Sequence, residues 1–67
     1  MIHVNGRSVD CGERPTICEV LAKIDIDPAT PGIAVAVDYE VATRSAWPTR
    51  RLDEGAHVEV VRAVQGG

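Results

Sequence analysis

Sixty-seven residues suffice for one domain with a single modest core, which excludes a large enclosed active site. The formal charge of −3 excludes the basic stripe that nucleic acid or an anionic membrane surface requires. No apolar run approaches the roughly 20 residues of a membrane span, and Met1 to Val4 passes at once into polar Asn5-Gly6-Arg7, which predicts no signal peptide.

Ile2 and Val4 alternate with Met1 and His3, the pattern of a short strand with one buried face. Asn5-Gly6 is a strong two-residue hairpin signal. Arg7 to Cys11 then reads as the return strand, with Val9 inward, broken by Gly12 to Pro15. Thr16-Ile17-Cys18-Glu19 has the form of a capping box. Behind it Ile17, Val20, Leu21 and Ile24 fall on one helical face, and the prolines and glycine between Asp25 and Gly32 stop the helix near Ile24. Ile33 to Val37 reads as a central strand whose helix-packed face is Ile33, Val35 and Val37. Asp38-Tyr39-Glu40 turns, Val41 opens a short segment, and Arg44 to Trp47 forms one helical turn ended by Pro48. After Leu52 and the Asp53-Glu54-Gly55 turn, His57 to Val64 is the last strand, with Val58 and Val60 toward the core and Glu59 and Val61 on the other face. A hairpin, one amphipathic helix and further strands make a two-layer α+β domain with the helix across one face of the sheet.

The residues with chemical potential are few. Gly66-Gly67 is compatible with a frayed end and with a functional tail. Glycine lacks a Cβ, so such an end is thin, and Gln65 to Gly67 extend about 10 Å, far enough to enter a partner's narrow active site. A free carboxylate is a poor electrophile, so reaction there requires activation. Cys18 lies in the first helical turn, where the dipole favours a thiolate. No basic partner can be assigned to it, and the spacing to Cys11 is not Cys-x-x-Cys, so both cysteines are read as reduced core filler of a cytoplasmic protein. His3 and His57 meet if their strands are neighbours, but with Cys11 they match no zinc spacing, so no metal site is expected. Asp25, Asp27, Asp38, Glu40, Asp53 and Glu54 sit at turns and read as solvated, with Asp25 and Asp27 serving solubility or a basic partner. Arg50-Arg51 is a solvated pair or a grip for a partner's carboxylate. Ala34, Ala36, Val61 and Ala63 form a mildly apolar strip on the open sheet face, a candidate partner surface.

The ordered set Ile2-His3-Val4-Asn5-Gly6, Thr16-Ile17-Cys18-Glu19-Val20-Leu21, Val35-Ala36-Val37-Asp38, Arg44 with Trp47, Leu52-Asp53-Glu54-Gly55, and Val58-Glu59-Val60-Val61 running to Gly66-Gly67 resembles the ThiS sulfur carriers of the ubiquitin superfamily over the whole chain. Val41-Ala42-Thr43-Arg44 departs from that pattern in lacking a proline before the arginine. The resemblance implies a β-grasp fold: a mixed four- to five-stranded sheet with one main helix, over residues 1–65, followed by a flexible tail at 66–67. It implies that a ThiF-like enzyme spends ATP to adenylate the Gly67 carboxylate. Sulfur from a cysteine desulfurase then replaces AMP, and the thiocarboxylate donates to a ThiG-like thiazole synthase. The carrier itself would bind no cofactor, supply no catalytic side chain and be monomeric when free. The small subunit of molybdopterin synthase and a ubiquitin-like modifier share fold and tail and are the alternatives, and a plain binding module is the rival of another class.

Overall fold

The structure is a computed structural model and describes residues 1–62. The chain order is β1 (Ile2–Val4), β2 (Arg7–Val9), α1 (Ile17–Lys23), β3 (Ile33–Val37), β4 (Glu40–Ala42), a 3-10 turn (Arg44–Ala46) and β5 (His57–Arg62). The five strands form one sheet in the order β2-β1-β5-β3-β4. β1 and β5 run parallel, and the other neighbours are antiparallel. The last strand thus lies at the centre of the sheet, next to the first. No helix among the described residues is long and apolar enough to cross a membrane.

Turn chemistry fixes the two hairpins. Asn5 (φ 50°) and Gly6 (φ 83°) both take the left-handed backbone of a type I′ turn, so Val4 pairs with Arg7 and Ile2 with Val9. The return strand therefore ends at Val9 and not at Cys11. β1 begins only at Ile2, and Asp10 instead turns the chain, its Oδ1 accepting the Gly12 N–H at 3.1 Å. Asp38 (φ 48°) and Tyr39 (φ 71°) repeat the I′ geometry between β3 and β4, with Val37 opposite Glu40. The turn is therefore two residues long, and Glu40 already belongs to the strand.

The capping box forms as its spacing predicts. Glu19 N–H donates to Thr16 Oγ1 at 3.1 Å, and Thr16 N–H donates to Glu19 Oε1 at 2.8 Å. The remaining free amides of the first turn are met from the segment after the 3-10 turn. Cys18 N–H reaches the Trp47 carbonyl and Ile17 N–H the Arg50 carbonyl. Ile17, Val20 and Leu21 are fully buried and join one cluster with Ile2, Val35 and Val58, which packs α1 against one face of the sheet. Ile24 is only half-buried, because α1 ends at Lys23 and Ile24 is its C-cap.

Candidate functional site

Two faces and one exit define what this domain offers a partner. Strand alternation sends Val58 and Val60 toward α1 and leaves His57, Glu59 and Val61 on the open face. Val58 is buried and Val60 half-buried. Register then sets the neighbours on that open face. Val61 stands opposite Ala34, and Ala36 lies between Glu59 and Val41. Ala34 is exposed, Ala36 half-buried, Val61 59% exposed and Val41 77% exposed. Of the expected strip, Ala34, Ala36 and Val61 share the open face, and Val41 stands beside Ala36 on it. Ala63 lies outside the described residues, as do Gln65, Gly66 and Gly67 and the expected end of β5 at Val64.

The histidines meet, as neighbouring strands allow. His3 and His57 pair in the parallel register, and their rings stack with centroids 4.8 Å apart and planes 19° from parallel. Ser8 Oγ lies 3.3 Å from His3 Nδ1. This trio does not make a catalytic relay. The nearby Asp38 carboxylate accepts the backbone N–H of His57 at 3.0 Å, so it orients a strand and not an imidazole. Among the described residues no group of three or more His, Cys, Asp or Glu is placed to hold a metal ion.

Cys11 and Cys18 are free, half-buried and packed against the core. Burial pushes the Cys11 thiol above its ordinary 9.0, against the opposing pull of Lys23, so it is mostly protonated at neutral pH. Arg51 is exposed and already engaged within the chain. Its Nη1 donates to the Arg14 carbonyl at 2.8 Å and lies 3.7 Å from Glu19 Oε1. Arg50 is exposed, and its carbonyl caps α1.

The sequence placed Arg44 and Trp47 on one helical turn and among the points of resemblance, without a role for either side chain. The structure gives them work. The Arg44 guanidinium lies 4.5 Å from the centre of the Trp47 ring and donates to the carbonyls of Pro28, Thr30 and Ile33. It thereby ties the loop leading into β3 to the turn after β4. Trp47 is 2% exposed, and its indole N–H donates to the Ala42 carbonyl at 3.1 Å. The signal for this lay in the three-residue spacing, which a single helical turn brings onto one side.

With the geometry fixed, the chain can be set beside known proteins. The ThiS family profile matches residues 2–67. The chain belongs to the ThiS family. The crystal structure of the thiamine biosynthesis protein (ThiS) from Geobacter metallireducens superposes with a TM-score of 0.77 at 26% identity, covering 98% of this chain and 97% of that one. An NMR solution structure of a thiamine biosynthesis protein from Geobacter metallireducens gives a TM-score of 0.76 at 28% identity, covering 98% and 86%. No curated protein matches the sequence. The five-stranded mixed sheet with one helix is the ThiS β-grasp fold, at the upper end of the expected four to five strands.

Proposed function

We propose that this ThiS-family chain is a sulfur carrier of thiamine biosynthesis and that its reactive group is the Gly67 carboxylate. The observation that carries the reading is the extent of the family match, which runs through Gly66 to Gly67 itself. The placement of β5 supports it, since the strand that feeds the tail is held between two neighbours at the centre of the sheet.

Chemistry at the terminus then follows from what a carboxylate lacks. One Gly67 oxygen attacks the α-phosphorus of ATP in a ThiF-like enzyme, pyrophosphate leaves, and an acyl-adenylate forms. The terminal sulfur of a cysteine desulfurase persulfide attacks the carbonyl carbon and expels AMP, giving an acyl disulfide. A thiol then cleaves its S–S bond, ending as a disulfide with the desulfurase sulfur and leaving the thiocarboxylate. Sulfur is the better nucleophile of the two chalcogens, so the product can add to an acceptor held by a ThiG-like thiazole synthase. The ATP site belongs to the adenylating enzyme, and the carrier is the co-substrate. Ala34, Ala36, Val61 and Val41, on the open face of the sheet, supply the apolar surface on which these partners dock.

The test is the intact mass of the protein after incubation with an adenylating enzyme, ATP and a desulfurase with cysteine. The expected gain is the difference between one sulfur and one oxygen, and it is abolished by removing Gly67. A chain lacking Gly67 that still takes up sulfur would refute the assignment.

A further inference from the structure

Asn5 does more than turn the hairpin. In the parallel pair, His3 N–H donates to the Ala56 carbonyl and Asn5 N–H to the Val58 carbonyl, each at 2.9 Å. One further step of that ladder would bring the backbone carbonyl of residue 5 to Val60 N–H and the backbone N–H of residue 7 to the Val60 carbonyl. The backbone does neither. Asn5 swings away at φ 50°, and Arg7 is already paired with Val4. The Asn5 side chain supplies both bonds instead. Its Oδ1 accepts Val60 N–H at 2.8 Å, and its Nδ2 donates to the Val60 carbonyl at 3.2 Å. Among the described residues no bond from the β1 side reaches β5 beyond Val60.

We propose that Asn5 is a positioning residue for the C-terminal tail: its side-chain amide stands in for a missing strand on the β1 side, holds Val60, and restrains the direction in which β5 runs on toward Gly67. The consequence for reaction rests on the proposed role of that tail. A strand held on one side only would sample more directions, and the fraction of carriers presenting the tail correctly would fall. The turn does not by itself require asparagine, because glycine adopts the same left-handed backbone without strain. Turn and clamp are therefore separable by substitution.

The experiment compares the wild type with Asn5→Gly, which keeps the turn and removes the amide, and Asn5→Asp, which keeps the acceptor and removes the donor. In Asn5→Gly, Val60 amide exchange should quicken about tenfold, as loss of two hydrogen bonds predicts, while the Leu21 and Val35 amides stay as in the wild type. With a ThiF-like enzyme and ATP, its KM for adenylation should rise about fivefold at unchanged kcat, the signature of a smaller competent fraction. Asn5→Asp should fall between the two proteins on both readings. Unchanged Val60 exchange, or faster exchange with an unchanged KM, overturns the proposal. If the wild type is not adenylated at all, the role of the tail falls, and Val60 exchange alone still decides whether Asn5 holds the strand.

Discussion

Asp25 occupies a position that favours glycine. It lies one residue beyond the C-cap of α1 at φ 60°. Its N–H donates to the Ala22 carbonyl at 3.2 Å, and Ile26 N–H donates to the Leu21 carbonyl at 2.9 Å. These two bonds are the Schellman closure, and Ile26 packs back on the core beside it. Asp25 therefore shapes the helix end through its backbone, while its side chain is exposed. Asp27 does similar work in the next turn, its Oδ1 accepting the Ala29 N–H at 2.8 Å. Asp25→Gly should raise stability by about 0.5–1 kcal/mol, since it relieves the left-handed strain and removes a negative charge from the helix C-terminus. Urea melts of the two proteins check this. Glu19 sets a pH dependence. The bond from Thr16 N–H holds its carboxyl below the ordinary 4.5. A lowered folded value means that the stability Glu19 adds is fully present above 4.5 and is lost as pH falls through the lowered value. Glu19→Gln keeps an oxygen for Thr16 N–H but does not titrate, so its urea midpoint should fall less than that of the wild type between pH 7 and pH 3.

At the scale of elements, the segment after β4 decides whether the helix docks. The carbonyls of Trp47 and Arg50 receive the first amides of α1, Leu52 N–H donates to the Pro15 carbonyl at 2.8 Å, and Trp47 fills the core beneath. Trp47→Ala removes the largest buried side chain and should cost about 3–5 kcal/mol. A core of this size supplies about the same amount, so loss of amide chemical-shift dispersion at 37 °C is expected, and a well-dispersed spectrum would contradict it. Much of the architecture was readable from residues with local effects: Asn5-Gly6 for the first hairpin, Thr16 and Glu19 for the helix start, and Ile33, Val35 and Val37 for the buried face of β3. What the sequence left open depends on contacts distant along the chain. Asp10 and Cys11 have strand-like neighbours, yet among the described residues no strand pairs with them. The core roles of Ala42, Trp47, Leu52 and Ala56 and the loop clamp of Arg44 appear only once β4 and the following turn fold over α1. Strand order was also not legible, because parallel pairing of the first and last strands leaves no turn signal between them.

For the whole molecule, fold and proposed chemistry are divided between two parts of the chain. One face of the sheet is spent on the core with α1. The other carries Ala34, Ala36, Val41 and Val61, with the stacked histidines lower on the same face. β5 joins both parts, clamped by Asp38 at its start and by Asn5 at Val60, and the chain runs from it to Gly67. Ala34, Ala36 and Val61 were expected on this face from alternation within β3 and β5; Val41 was not. The clamps were not foreseen, since an asparagine or aspartate at a turn gives no sign of which strand its side chain will reach. The proposal that sulfur rides on the terminal carboxylate competes with one concrete alternative, a persulfide on Cys11 or Cys18. Fragmentation mass spectrometry of the sulfur-loaded protein separates them. The account predicts the added mass on the C-terminal fragment that contains Gly67, with both cysteine-bearing fragments unshifted; sulfur found on a fragment bearing Cys11 or Cys18, with the Gly67 fragment unchanged, would contradict it.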